Sequence, residues 1–330
     1  MLFSQPIIHV VLLIVFICEV SSVDVDINFR LVEGSDEMYR MSINLDGQQD
    51  IQTQIEAFFE TYADDQVVLY NEQHMRRTVQ RRLQGMELKI AAIGNHDDIE
   101  EICGKTLTDV DATILYQFVE LLLQESQAKL YNNTTNQGNS LKSDNKKMNI
   151  QDKFRYVEVG SYIGCSSILM ASILPSDSLI YAHDIWVDIG NGETLNDDGS
   201  PPELIENYFY KFYDNVRKRG LEQKIIPIRG NATYTLGMHE IESIDLGFID
   251  GDHSYEGFMK DLESMYPLIK LGGIIIVHDV QFIKNRLVNP VGQAMVDFCS
   301  KMADYIICDL MIWGTEMAKI YKLTSAKSID

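Results

Sequence analysis

Hydrophobic and polar residues alternate strictly from Val23 through Val25, Ile27, Phe29 and Leu31, the signature of a half-buried strand. A second alternation, Tyr39, Met41, Ile43 and Leu45, follows a polar loop around Gly34, so the pair predicts a hairpin. Ile51, Ile55, Phe58, Phe59 and Tyr62 recur at helical spacing, Val67–Tyr70 reads as a short strand, and Met75, Val79 and Leu83 mark another helix. This run predicts a small N-terminal α+β accessory domain over 23–131, which also takes in a leucine-rich helix from about Asp111 to Leu130. The stretch 132–152, full of Asn, Gly, Ser, Thr and Lys, cannot bury enough apolar surface to order itself and predicts a flexible linker.

Beyond Lys153 short apolar runs alternate with helical segments, the mark of an α/β fold around a parallel sheet, here over 153–330. The expected strands are Tyr156–Val159, Leu179–His183, Lys224–Ile228, Leu246–Ile249 and Gly273–His278. Helices are expected at about Ser166–Leu174, Pro202–Arg219 and Tyr255–Ile269. Two closing apolar runs, Tyr305–Trp313 and Glu316–Leu323, are joined by Gly314-Thr315 and read as a hairpin.

Charge narrows the partners. A net charge of -21 over 330 residues argues against nucleic acid, whose phosphates require a compensating basic surface. The basic cluster Arg76, Arg77, Arg81 and Arg82 has helical spacing and reads as a solvated helix face. Ile7–Val20 is almost wholly apolar and Val20-Ser21-Ser22 supplies small residues for cleavage, so 1–22 reads as a signal peptide. The apolar run is shorter than the roughly 20 residues of a membrane span, and no stable span is expected. The secretory pathway, lumenal or secreted, follows from this leader, with a signal-anchored or cytoplasmic chain as the alternative. Asn132, Asn133 and Asn231 head glycosylation sequons. Outside the leader, Cys103, Cys165, Cys299 and Cys308 show neither metal-type pairing nor a disulfide framework. Cys165 reads as a small packing residue, and Cys299 with Cys308 as the sequence-near pair that can bridge.

The first strand of the sheet runs into Glu158-Val159-Gly160-Ser161-Tyr162-Ile163-Gly164, a turn whose glycines allow tight bending and close approach of a ligand. Its Glu-x-Gly-x-x-x-Gly spacing is not the Gly-x-Gly-x-x-Gly of pyrophosphate-binding folds, which counts against a dehydrogenase. A carboxylate there suits a ligand presenting an ammonium group or hydroxyls. In an open parallel sheet ligands bind beyond the carboxyl ends of the strands, so the remaining ends belong to the same set. They are His183-Asp184, Gly230-Asn231-Ala232, Asp250-Gly251-Asp252-His253 and His278-Asp279. Asp184 is suited to accept hydrogen bonds from ribose hydroxyls, and Asn231 offers a donor and an acceptor to a base edge. Trp186 either walls an adenine or is an ordinary buried Trp. Together these features imply an adenosine-containing ligand without a required diphosphate.

The residues Val157-Glu158-Val159-Gly160 to Gly164, His183-Asp184-Ile185-Trp186, Phe248-Ile249-Asp250-Gly251-Asp252-His253-Ser254-Tyr255 and Leu271-Gly272-Gly273 to Val277-His278-Asp279 resemble the class I S-adenosylmethionine-dependent methyltransferases. The branch they look most like is that of the macrocin O-methyltransferases. The resemblance covers about Lys153 to Leu323 and implies a Rossmann-like seven-stranded sheet whose last strand is antiparallel. It implies that Glu158, Gly160, Ser161 and Gly164 line the methionine part of S-adenosylmethionine. Asp184 would meet the ribose and Asn231 with Ala232 the adenine side, Ile185 and Trp186 would belong to the same cofactor site, and Asp250 would stand near the transferred methyl. By similarity to metal-dependent O-methyltransferases, Asp250, His278 and Asp279 fall where Mg2+ is held, with His278 replacing an oxygen ligand.

Methyl transfer to a hydroxyl needs a group that takes the proton. His253 is the candidate base, because its ordinary pKa lies near working pH; the alternative is that it only hydrogen-bonds within its turn. The acceptor is read as a small molecule or sugar. The insertion 187–202 reads as a lid, and Tyr208, Phe209, Tyr210, Phe212 and Tyr213 face either an acceptor or the helix core. Because S-adenosylmethionine is made in the cytosol while the leader points to the secretory pathway, a second function stays open. That alternative is a secreted binding or structural protein that keeps the fold without the activity.

Overall fold

The computed structural model describes residues 24–29, 39–44, 50–104, 106–136, 153–186, 208–283, 286–287, 289–310, 312 and 315–323. The leader, most of the linker and the lid-like insertion 187–202 lie outside them. The chain divides into two compact units at Leu83/Gln84.

In the first unit, β1 (Asp24–Phe29) pairs antiparallel with β2 (Tyr39–Asn44), in register from Asp24 opposite Asn44 to Phe29 opposite Tyr39. Helix α1 (Ile51–Thr61) starts at Asp50, whose carboxylate accepts from the Thr53 amide at 3.0 Å and satisfies one exposed helix-end donor. Helix α2 (Gln66–Ile93) begins here and runs on past the boundary. It corrects the expected strand at Val67–Tyr70: those residues are its first turns. The 28-residue helix buries Met75 and Val79 further along, and its cooperative formation outweighs the β-propensity of a local Val-Val run. Arg76 is more than a solvated face residue. Its guanidinium forks onto Glu56 at 2.9 and 2.8 Å and lies 4.1 Å over the Phe59 ring, tying α2 to α1.

The second unit starts with the end of α2, followed by α3 (His96–Ile102) and α4 (Asp109–Asn136). The domain boundary expected at 132–152 therefore moves to Leu83/Gln84, and α4 continues to Asn136. The physical reason is that Val110, Ile114, Leu115 and Val119 of α4 join Ile168, Phe248 and Ile276 of the sheet domain in one apolar core. Then come β3 (Arg155–Val159), α5 (Cys165–Ile173), β4 (Leu179–Asp184), α6 (Tyr208–Lys218), β5 (Ile225–Arg229), α7 (Ala232–Thr235), β6 (Ile244–Ile249), α8 (Tyr255–Met265) and β7 (Ile269–Val277). A two-residue ladder, β8 (Phe282–Ile283) with β9 (Arg286–Leu287), leads to α9 (Pro290–Lys301), β10 (Ile306–Asp309) and β11 (Ala318–Lys322).

The sheet has seven strands in the order β10-β11-β7-β6-β3-β4-β5. Strands β3 to β7 pair in parallel, whereas β11 is antiparallel to both β7 and β10, so the expected terminal hairpin is present. Strand alternation sends Tyr156, Phe248, Ile274 and Ile276 to one face, with α5 and α6. It sends Val157, Val159, Ile249, Ile275 and Val277 to the other, with α8 and α9. A cation sits inside β11: Lys322, 1% exposed, donates to the carbonyls of Ile269 at 2.7 Å and Tyr266 at 3.3 Å.

Two disulfides are present; the Cys299–Cys308 bond joins the pair read as able to bridge, and the Cys103–Cys165 bond corrects the reading of the other cysteines. Cys103 at the end of α3 is bonded to Cys165 at the start of α5, and Cys299 of α9 to Cys308 of β10. Cys165 is thus a crosslink, not a small packing residue. Its partner stands 62 positions away, a separation at which no local pattern announces the pairing.

Both glycines of the turn after β3 have left-handed backbones, with φ of 89° at Gly160 and 98° at Gly164. A Cβ on Gly160 would lie 2.0 Å from the Asp250 carbonyl oxygen, and one on Gly164 3.2 Å from the Phe212 ring. Protein, not ligand, fills the space that the first of these side chains would need. Gly160→Ala is expected to cost about 3 kcal/mol or more in urea denaturation, from the clash added to backbone strain. Gly220→Ala, at φ 65° with nothing within 4 Å, should cost only the strain, about 1 kcal/mol. Equal losses would contradict the close crossing at Gly160.

Candidate active site

The five parallel strands end in register because each is latched to its neighbour one residue beyond the strand. The Gly160 amide donates to His183 O at 2.9 Å, Asp250 to Val159 O at 2.9 Å, His278 to Ile249 O at 3.0 Å and Gly230 to Asp184 O at 2.9 Å. These bonds line up the loop residues above a cleft of about 1060 Å³ at the carboxyl ends of the strands. Strand β3 is flanked by β4 on one side and β6 on the other, so the chain reverses its winding there, where such sheets open a crevice.

Gly160, Ser161, Asp184, Ile185, Trp186, Asn231, Ala232, Asp250, His253, His278 and Asp279 all line this cleft; Glu158 and Gly164 do not. Glu158 is fully buried behind the turn, and its carboxylate accepts the hydroxyls of Ser166 and Ser167 in the first turn of α5. Burial raises its pKa to about 7 against the opposing effect of those hydroxyls. It braces the turn from below.

Asp184 holds the turn from the side. Its Oδ2 accepts from the Tyr162 amide at 2.8 Å and its Oδ1 from the Trp186 amide at 2.7 Å. Burial nevertheless raises its pKa. Trp186 lines the cleft and is also buried. It is 4% exposed, donates its indole N–H to Tyr162 O at 2.7 Å and packs on Phe209 and Phe212 at 5.0 and 4.9 Å. Phe212 is core, while Tyr208 lines the cleft with its ring 4.7 Å from that of Tyr162. The Asn231 side-chain oxygen accepts from the Thr233 amide at 3.0 Å and caps α7, which leaves its N–H2 group as the donor toward a ligand.

The other half of the cleft is a cluster of carboxylates and imidazoles. His278 Nδ1 lies 3.4 Å from Asp250 and 3.3 Å from Asp279, while Nε2 lies 3.5 Å from Asp111, a buried residue of α4. Burial works against protonation of His278, but the three carboxylates outweigh it, and its pKa is pushed up to about 12. His253, largely exposed at the mouth, places Nε2 3.1 Å from Asp279 and 3.7 Å from Asp250. Its bond to Asp250 outweighs burial and holds its pKa above the ordinary value.

Among the described residues, Asp250, His253 and Asp279 bring one potential ligand atom each within 4.8 Å of the others. The expected set contained His278 in place of His253. His278 faces the same two carboxylates at 3.4 and 3.3 Å, and an imidazole in either place is a poor partner for Mg2+, which prefers oxygen ligands. The donor set thus fits Mg2+ poorly.

Sequence reasoning missed Asp111 and Asp261, and named His183 only as a strand-end residue without its pairing to His239. Asp111 carries no motif and arrives from a helix outside the sheet. His183 is fully buried, with Nδ1 2.8 Å from Thr235 Oγ1 and Nε2 2.9 Å from His239 Nε2, and burial lowers its pKa to about 3. Asp261 lines the cleft from α8, and burial with the neighbouring Asp252 raises its pKa to about 7. Its spacing from the Asp-Gly-Asp-His loop was a visible signal, because an aspartate on the buried face of an amphipathic helix needs a reason.

Comparison with known proteins agrees with this architecture. Residues 157–280 match the family described as "Methyltransferase domain". A protein of Acanthamoeba polyphaga mimivirus, R132, is 28% identical over 138 residues, covering 40% of this chain and 53% of its own length. The chain thus spans about half the length of that curated relative. A candidate O-methyltransferase of Klebsiella pneumoniae is similar at 19% identity and TM-score 0.39, over 52% of this chain and 73% of that one. The SAH-bound methyltransferase PaMTH1 of Podospora anserina is similar at 17% identity and TM-score 0.38, over 52% and 72%. The sheet order and the domain match support a class I methyltransferase-type fold. Among the described residues no helix is long and apolar enough to cross a membrane.

The raised pKa of Glu158 has a measurable sign. Its folded value near 7 exceeds the ordinary 4.5, so its contribution to stability is fully present below about pH 4.5 and is lost as pH rises through 7. Glu158→Gln is expected to flatten the fall in urea-derived stability over that window by up to about 3 kcal/mol. An unchanged pH slope would contradict the buried, proton-holding carboxyl.

Proposed function

We propose that this protein transfers a methyl group from S-adenosylmethionine to a hydroxyl of a small molecule or sugar. The observation that carries the reading is the alignment of Asp184, Asn231, Asp250 and His253 along one cleft at the reversal point of a methyltransferase-type sheet. Lys260 is the only Lys or Arg among the described lining residues, against Asp184, Asp250, Asp252, Asp261 and Asp279. Such a lining suits a cationic sulfonium joined to an uncharged nucleoside and disfavours a diphosphate.

S-adenosylmethionine would supply a methyl group on a positively charged sulfur. Asp184, held by backbone amides, stands at the place for the ribose hydroxyls, and the Asn231 side-chain N–H2 meets the base. Asp250 presents negative charge to the sulfonium end. His253 takes the acceptor's proton; its position at the mouth leaves it reachable, and Asp279 orients its ring. No step needs a metal. The macrocin-type branch and a sugar acceptor rest on the sequence resemblance alone.

A second reading is a secreted protein that keeps the fold without the activity. The two disulfides favour the compartment this reading assumes, since such bonds persist in oxidising surroundings. Either way, we place the chain in the secretory pathway. A glycan on Asn231, which heads a sequon, would stand on the cleft lining.

Calorimetry of the mature, oxidised chain with S-adenosylmethionine, with and without Mg2+, separates the two readings. Binding without added Mg2+ is expected, and Asp184→Ala should weaken it about tenfold or more. Absence of binding by the wild type would sink the enzyme reading. Equal affinity in the variant would remove the ribose assignment.

A further inference from the structure

Asn231, the cap of α7, lines the cleft together with Ala232, Thr233 and Tyr234, yet α7 is four residues long and none of its residues is buried. So short a helix is not held in place by its own hydrogen bonds. Leu236, one residue beyond it, is buried, and the chain before it is bent: a Cβ on Gly230, at φ 147°, would lie 2.8 Å from the Thr235 methyl.

Three side chains join α7 to the sheet. His183 of β4, 0% exposed, sets Nδ1 2.8 Å from Thr235 Oγ1 and Nε2 2.9 Å from His239 Nε2. The His239 ring meets Tyr181 of the same strand edge-on at 4.7 Å. His183 also carries the carbonyl that accepts the Gly160 amide, so the link starts from the residue that latches β4 to the turn after β3. His183 lines the cleft; Thr235 and His239 do not, and act on it through α7.

The proton count makes the link directional. Two neutral imidazoles that meet Nε2 to Nε2 share one hydrogen, so one ring donates and the other accepts, and the Thr235 hydroxyl turns to complement the remaining nitrogen of His183. Burial lowers the pKa of both rings, that of His183 to about 3, which keeps the pair neutral at pH 7. A buried imidazole costs more than an apolar side chain of its size unless both nitrogens are paired. What it supplies here is a fixed distance between β4 and α7.

We propose that His183, Thr235 and His239 are the positioning residues of the adenosine end: they hold α7 against β4, so that Asn231 and Ala232 stand where the base lies. This rests on the reading of the cleft as an S-adenosylmethionine site.

The test uses calorimetry with two probes, and hydrogen exchange without ligand, on the full mature, oxidised chain. S-adenosylhomocysteine and 5′-methylthioadenosine share the adenosine and differ in the amino-acid end. Thr235→Val and His239→Phe are each expected to weaken both probes about tenfold, whereas Thr235→Ser, which keeps the hydroxyl, stays within about twofold of the wild type. Gly220→Ala, away from the cleft, should leave both affinities unchanged although it strains the backbone. In the free chain the amides of 230–239 should exchange about tenfold faster in Thr235→Val than in Thr235→Ser. Should Thr235→Val fail to fold, His239→Phe against the wild type decides by the same two measurements. Equal exchange and affinity in the Val and Ser variants, or a loss confined to S-adenosylhomocysteine, overturns the positioning role and leaves the cofactor reading in place. A wild type that binds neither probe overturns the cofactor reading, and the exchange comparison then decides the link by itself.

Discussion

At the centre of the sheet the chain leaving β3 passes the chain leaving β6 so closely that a Cβ on Gly160 would lie 2.0 Å from the Asp250 carbonyl. The contact is sealed by the Asp250 amide on Val159 O at 2.9 Å. The other strand-end bonds extend the same latch outward to β4, β5 and β7, and the functional side chains follow from it. Asp184, Asp250 and His278 are neighbours because the backbones that carry them are hydrogen-bonded in succession. With Gly160 at the crossing, the turn bends left-handed and opens the cleft above it.

Around this crossing the protein concentrates carboxylates and then manages their repulsion in different ways. Glu158 and Asp261, which are buried, shift toward the protonated form near neutral pH. Asp184 is stabilised by backbone amides, and Asp111 and Asp279 by His278, whose contacts with them lower both pKa values against the cost of burial. The consequence is a cleft whose charged lining is mainly carboxylate, with the His278 imidazole set among these groups. His253, less buried, stands at the mouth of the cleft against Asp250 and Asp279.

The sheet was legible in the sequence because its strands carry continuous or alternating apolar runs, and a period of two survives any packing arrangement. The strand-end residues were legible for the same reason, since a known strand end fixes which loop residues share an edge. Gly160 and Gly164 were recognised as the tight-turn residues that their left-handed backbones make them, but the neighbouring backbone and the Phe212 ring that also crowd them could not be seen in a local pattern. Glu158 was read as a cleft residue because its position ends a strand, whereas strand alternation turns its side chain under the helix. Cys103, Asp111 and the His183–His239 pair join segments far apart in sequence, and contacts of that kind leave no periodic trace. Val67–Tyr70 failed differently, because its local strand preference was real and was outweighed by the helix it begins.

The central claim is that the aligned strand ends form one site for an adenosine-bearing sulfonium. A crystal structure of the mature, oxidised chain grown with S-adenosylhomocysteine tests it most directly. The account predicts the ribose on Asp184, the base beside Asn231 and the sulfur facing Asp250. A ligand bound elsewhere, or one lying in the cleft with its adenosine at the His278 end, would contradict it.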